Sequence, residues 1–303
     1  MKNKKFNLQI FADAVSVRVY QKDFKELLKV IFGTKSYFSD FFAGGLEAKD
    51  GVQHKDTAFS VKTSDIPVVV GTEYNKDANT AFGTGTGSTS RFGERTEIVY
   101  TDTDVDYSWE WAMHEGIDRT TVNNDFDVAV ADRLELQANA KINKFNTKHA
   151  AFISAAATAV ASGEATITAD NVATVFNTLH KKYVNMKAVG VLKAKVTADV
   201  YSAIVDSKLS TTSKGSSANV DENEIRKFKG FLIEELPEDL FAANEVIYTY
   251  IEGVGKAFTG IETARTIESE DFDGVALQGH GKAGEYILPA NKPAVLKVTV
   301  TGA

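Results

Sequence analysis

The stretch "NNDFDVAVADRLELQANAKINKFNTKHAAF", residues 123–152, decides how the chain is read. Apolar or small residues recur at Phe126, Val130, Leu134, Ala138, Ile142, Phe145 and Phe152, close to the 3.6-residue helical period. Asn124 or Asp125 can cap its start, and the Ala-rich continuation runs to Gly163. The spacing predicts one helix over 124–160, with Leu134 in a buried seam and Gln137 on another face. Nearly thirty residues at 1.5 Å each make a rod of roughly 40 Å. A rod that long is the spine of a flat domain.

Upstream, the pattern has period two. "FSVKTSDIPVVV" at 59–70 reads as a strand interrupted at Pro67, and "ERTEIVYTDTDVDYSWEW" at 94–111 as a second. In the second, Thr101, Thr103, Val105, Tyr107, Trp109 and Trp111 share one side, against Asp102, Asp104, Asp106 and Glu110. Between them lies a tip rich in Gly, Thr, Ser and Asn that has little to pack. The expected element is a long two-stranded ribbon, at best marginally stable alone, that must lie against another molecule.

Downstream, the texture turns to α/β alternation. "TADNVATVFNTLHKKYV" predicts a helix opened by Thr168, "AVGVLKAKV" a strand, and "TADVYSAIVDSKL" a second helix. "FKGFLIEEL" and "EVIYTYIEGVGKAFTG" read as strands, and "GEYILPANKPAVLKVTVTGA" as a strand pair across Pro289 and Pro293. At the other end, "QKDFKELLKVIFG" at 21–33 places Phe24, Leu27, Leu28 and Ile31 at helical spacing before Gly33. That short segment cannot bury its own apolar face, so the face needs a neighbour, from this chain or another.

Bulk composition narrows the function classes. The 303 residues suit about two domains, and 34 basic against 41 acidic residues leave a net charge of −7, too negative for a surface built to grip nucleic acid. Without cysteine there are no disulfides or thiolate metal sites. Lys2, Lys4 and Lys5 resemble the start of a secretory signal, but Asn7 and Gln9 break the apolar run that a signal needs. No apolar run approaches the roughly 20 residues of a spanning helix, so no membrane role is expected.

The motifs that carry chemistry fail on mechanical grounds. "GTGTGS" at 83–88 has Ser88 where a dinucleotide loop needs glycine, and it lies at a hairpin tip instead of between strand and helix. Asp102, Asp104 and Asp106 begin like a calcium loop, yet Tyr107 and Met113 occupy its glycine and glutamate positions. The five histidines are scattered singly. No enzyme, metal or cofactor is expected.

The order of segments is the remaining signal. An arm, a protruding hairpin with a Gly/Thr/Ser tip, a spine helix, an α/β unit and returning terminal strands together resemble the major capsid proteins of tailed double-stranded-DNA bacteriophages, the Hong Kong 97 fold. "NLQIFA" at 7–12 is similar to the start of head proteins from phages of Gram-positive bacteria. The resemblance implies an α+β fold with an N-terminal arm (1–45), an extended loop and flanking strands (46–110), a peripheral domain with the spine helix (111–163), an axial domain (164–284) and C-terminal strands (285–303). It implies a structural protein that self-assembles through hexamers and pentamers into an icosahedral shell around double-stranded DNA. A scaffolding protein and a portal would be partners, and the product would be a virion made in the host cytoplasm. Subunit contacts would fall on Phe24, Leu27, Leu28, Gly83, Gly85, Gly87 and Arg91, with Lys2, Lys4 and Lys5 touching DNA on the inner face. The alternatives are another virion component, such as a connector or tail-tube protein, and an encapsulin-like compartment protein.

Overall fold

The computed structural model describes residues 34–48, 57–64, 66–68, 70–71, 74–76, 91–92, 96–122, 125–207, 218–219 and 224–301. The expected arm helix over 21–33 and nearly all of the ribbon tip lie outside these residues. Among the described residues, fourteen strands and four α-helices follow in order: β1 (Phe42–Ala48), β2 (Thr57–Thr63), β3 (Thr101–Asp106), β4 (Trp109–Asp118), α1 (Arg119–Val122), α2 (Phe126–Ala156), β5 (Thr158–Ala161), α3 (Val172–Asn185), β6 (Leu192–Val196), α4 (Ala198–Asp206), the two-residue strands β7 (Ala218–Asn219), β8 (Glu224–Ile225) and β9 (Lys227–Phe228), then β10 (Phe231–Glu235), β11 (Glu245–Ile251), β12 (Gly255–Glu268), β13 (Gly274–Ile287) and β14 (Leu296–Thr299).

A six-stranded sheet in the order β5-β14-β11-β6-β10-β9 forms the α/β unit. Helix α3 turns Val172, Val175, Phe176, Leu179 and Tyr183 to it, the stripe that a half-buried helix requires. They pack with Val200, Ala203 and Ile204 of α4 on Ala194, Val196, Ile247 and Val298 of the sheet. The helix begins at Val172, later than the expected Thr168, because Asn171 takes the cap position and its side-chain oxygen accepts from Thr168 N at 2.8 Å. Alternation along β11 then serves both faces. Ile247 points to α3, whereas Tyr248 and Tyr250 point the other way, onto Ala150 and Ile153 of α2 and onto Phe38 and Phe41. Burying each such aromatic contributes about 1.5–3 kcal/mol.

The second sheet, β1-β12-β13-β4, has four strands dominated by the 14-residue hairpin arms β12 and β13. It departs from the sequence expectation in three places. The stretch "EVIYTYIEGVGKAFTG" divides at Gly253, whose φ of 74° favours glycine, so that β11 stays in the six-stranded sheet while β12 joins the four-stranded one. Residues 255–284, expected within the axial unit, are therefore paired beneath the spine helix. The two C-terminal strands are not partners either: β13 and β14 belong to different sheets, joined by the 3₁₀ turn Pro289–Ala294, in which two prolines lack the N–H a ladder needs. The third departure is the long strand expected over 101–111, which breaks at Tyr107–Ser108; β3 pairs with β2, and β4 with β13.

The spine helix exists at Phe126–Ala156, with Asp125 at its N-cap and Asn124 outside the described residues. Its burial differs from the expected stripe. Gln137, Phe145, Asn146, His149, Ala150 and Ile153 are buried, while Leu134 is 43% exposed. Only the C-terminal half enters the core, where it meets both sheets.

Candidate subunit-contact surface

The ribbon is built as the alternation predicts. β2 and β3 are antiparallel, with Thr57 opposite Asp106 and Thr63 opposite Thr101. Farther out, Asn75 N donates to Arg91 O at 2.9 Å and the rings of Tyr74 and Phe92 meet edge-to-face at 5.1 Å, so the two sides stay together well beyond the strands. Few apolar side chains on this extension find cover. Val68, Val70 and Phe92 are each more than 80% exposed, and Ile98, Val99 and Tyr100 more than half. Isolated exposed apolar residues are ordinary on protein surfaces, but six along one hairpin extension are a concentration of apolar surface.

The base of the ribbon is held rigidly. Ala58 and Val105 pack on Phe258, and the Tyr107 ring lies against Gly260, where a Cβ would come within 2.7 Å of it. At the corner where β3 passes into β4, Ser108 N donates to Ala283 O at 3.0 Å. Buried Glu285 accepts from Ser108 Oγ at 3.1 Å and Trp109 Nε1 at 3.0 Å, and its Oε1 lies 2.9 Å from His149 Nδ1. Burial alone would raise the Glu285 carboxyl, yet the hydrogen bonds from His149, Trp109 and Ser108 hold it below the ordinary carboxylate range. The ribbon's direction is thereby tied to the spine helix.

Two more buried charge clusters fasten the body. Lys195, 1% exposed, contacts Glu234, Asp40 Oδ2 at 3.2 Å and Tyr37 O at 2.7 Å, while Tyr250 donates to Asp40 Oδ1 at 2.8 Å. Together they clamp residues 35–40 to the six-stranded sheet. Lys297 donates to Glu245 Oε1 at 2.6 Å, and Ser154 and Tyr248 donate to the same carboxylate, joining the end of α2 to β11 and β14. Burial would raise Glu245, but Lys297, Tyr248 and Ser154 keep it below its usual value. Each buried charge is paired, as burial demands.

Of the residues expected at contacts, Arg91 lies on the ribbon beside Phe92. Phe24, Leu27, Leu28, Gly83, Gly85, Gly87, Lys2, Lys4 and Lys5 all lie outside the described residues. The sequence reads Val68 and Val70 in a strand interrupted at Pro67; in the structure β2 ends at Thr63 and both valines are exposed beyond it. The Glu285–His149–Trp109 cluster had no local signature, since its members are brought together from three distant segments. Among the described residues, no group of three or more His, Asp or Glu side chains is placed to hold a metal, and no helix is long and apolar enough to cross a membrane.

No protein-family model matches the sequence, and no curated protein matches it. Solved structures do. A chain of Mycobacterium phage Che8 aligns over 91% of this chain and 95% of its own length, at 16% identity and a TM-score of 0.62. The mature capsid of bacteriophage PhiM1 aligns over 91% and 90%, at 12% identity and a TM-score of 0.64. The capsid of cyanophage P-SCSP1u aligns over 91% of both chains, at 11% identity and the same TM-score. Likeness over nine-tenths of both chains at such low identity is likeness of fold, and this chain has the α+β, Hong Kong 97-like capsid fold.

Proposed function

We propose that the chain is a major capsid protein whose copies assemble into a closed icosahedral shell around phage double-stranded DNA. The observation that carries this reading is the fold likeness over nearly the whole length of phage capsid chains. The ribbon supports it physically. Its Val68, Val70 and Tyr100 are exposed, and packing against another copy would cover them.

In this reading the protein is structural and not catalytic, and it works by burial between copies arranged as hexamers and pentamers. The tip residues Gly83, Gly85, Gly87 and Arg91 adapt to five- and six-fold surroundings, because glycine tolerates several backbone conformations. Lys2, Lys4 and Lys5 face the packaged DNA without reading its sequence, and the net charge of −7 keeps the wall from gripping it. A scaffolding protein and a portal take part in assembly in the host cytoplasm. Expression with its neighbouring genes, followed by light scattering and electron microscopy, tests the proposal. Closed shells are expected; rings or tubes, or monomers under every condition, would overturn it.

A further inference from the structure

Lys195 sits on β6 between two carboxylates, in the seam where the six-stranded sheet receives residues 35–41. Only 1% of the residue is exposed. Glu234 is its register partner on the parallel neighbour β10 and contacts its ammonium, and Tyr37 O accepts from Nζ at 2.7 Å. From the segment before β1, Asp40 brings Oδ2 to 3.2 Å from Nζ, while Tyr250 donates to Oδ1 of the same carboxylate at 2.8 Å. A second lysine, Lys193, stands farther off, 3.9 Å from Asp40 Oδ2. Phe38, Phe41 and Tyr250 are fully buried in the adjoining core, so amine and carboxyl meet largely out of water.

We propose that Lys195 and Asp40 condense within the folded chain into a side-chain amide, with Glu234 carrying the protons. The ammonium gives one proton to Glu234, which passes it to Asp40 Oδ2, and the freed lone pair of Nζ attacks Asp40 Cγ. Negative charge gathers on Oδ1, where the Tyr250 hydroxyl already donates. Glu234 then takes a second proton from Nζ to Oδ2, the Cγ–Oδ2 bond breaks, and one water leaves. Nζ keeps its last hydrogen as the amide N–H. Glu234 returns to its starting form, and no oxidant or other reactant is consumed.

Position, proton transfer and burial each favour the bond. Nζ is held against the carboxyl group it attacks, and neighbours fixed in this way react at effective concentrations of about 10⁵–10⁸ M. Burial alone would raise the Glu234 carboxyl, but Lys195 and Lys35 hold it below the ordinary range, so it starts as a carboxylate able to accept a proton. Condensation also replaces a buried ammonium and a largely buried carboxylate with one neutral amide, which removes the desolvation cost of both ions. The product ties the segment before β1 to an interior strand of the six-stranded sheet. In a chain without cysteine it supplies the covalent brace that a disulfide gives elsewhere. Because it forms within one chain, it stands apart from shell assembly.

Intact-mass measurement of the purified full-length chain under denaturing conditions tests the bond. After incubation at neutral pH the parent should be lighter than its sequence mass by one water. After trypsin, the peptide holding Asp40 should be joined to one that runs uncleaved through Lys195. Asp40→Ala removes the carboxyl and should stay at its full sequence mass. Glu234→Gln, at a partly exposed site, keeps the side chain's shape but cannot accept the proton, so it too should stay at full mass. A parent chain at full mass would overturn the proposal, as would a water deficit located anywhere other than between positions 40 and 195. Condensation in Glu234→Gln at the parental rate would overturn the role given to Glu234.

Discussion

The two halves of the spine helix obey the same sequence rule and meet opposite fates. In the C-terminal half, Phe145, His149, Ala150 and Ile153 are buried where α2 meets both sheets, and Trp109 lies edge-to-face on Phe145 at 4.8 Å. In the N-terminal half, Val128 is 53% exposed and Leu134 43%, and the attachment to the sheet is polar: Arg133 and Gln137 both donate to Glu115 on β4. Apolar periodicity therefore reports which residues are meant to leave water. It does not report whether the cover comes from the same fold or from outside it.

The sharpest way to break this comparison is to place a charge in each half. Ile153 is fully buried between the sheets, so Ile153→Asp leaves an uncompensated ion there and should cost about 3–5 kcal/mol, as other unpaired buried charges do. Insoluble subunits are expected on expression. Soluble Ile153→Asp subunits with an unchanged urea midpoint would remove the distinction between the halves.

Gln137 gives the next largest effect, and reverses the expectation from sequence. Its side chain is 9% exposed and donates to Glu115 Oε2 at 2.7 Å. Gln137→Asp deletes the donor and sets a second carboxylate beside Glu115, at a cost of about 1–3 kcal/mol. Arg133 also donates to Glu115, so Gln137→Glu should be less harmful than Gln137→Asp because its longer chain can reach the guanidinium. Equilibrium unfolding of the two variants tests the order.

How legible was this in the sequence? Elements whose partner is water on one side and sheet on the other were readable, because a single period describes them: α3 with Val172, Phe176 and Leu179, and the ribbon strand with Val105. What escaped was pairing between distant segments. Nothing local to "TDTDVDYSWEW" marks Tyr107–Ser108 as the point where the chain changes sheets, since the break is imposed by Phe258 and by Glu285, the latter 177 residues after Ser108. Gln137 escaped for a related reason. A polar residue is buried only when a partner waits for it, and Glu115 lies on a strand the period of α2 knows nothing about.

Acid should act mainly through the buried half. Glu285 and Glu245 have carboxyls held below their ordinary value of 4.5, so the folded state binds fewer protons than the unfolded one. Their contribution is complete above about pH 4.5 and is lost as the pH falls through the folded values. Urea midpoints should therefore drop as the pH falls below about 4.5. Glu285→Gln lacks one of these groups and should show a shallower drop. An identical pH dependence in the variant would show that the His149 pairing leaves Glu285 unperturbed.

The smallest effect on the fold is the most informative about what covers the exposed half. Leu134 already has 43% of its surface in water, so Leu134→Asp puts a carboxylate where solvent can reach it, and the folded subunit should change by no more than about 0.5 kcal/mol. A melting temperature within a few degrees of the parent is the expected result. The same substitution should still matter outside the single chain. If copies pack on one another as proposed, Val128 and Leu134 are exposed apolar surface on the N-terminal half of α2, and a charge there opposes any neighbour that would dry it. Sedimentation of Leu134→Asp should then show folded subunits with a reduced yield of large assemblies. Unfolding of the variant would place Leu134 in the core after all, and normal assembly would leave its exposure without a partner to account for it.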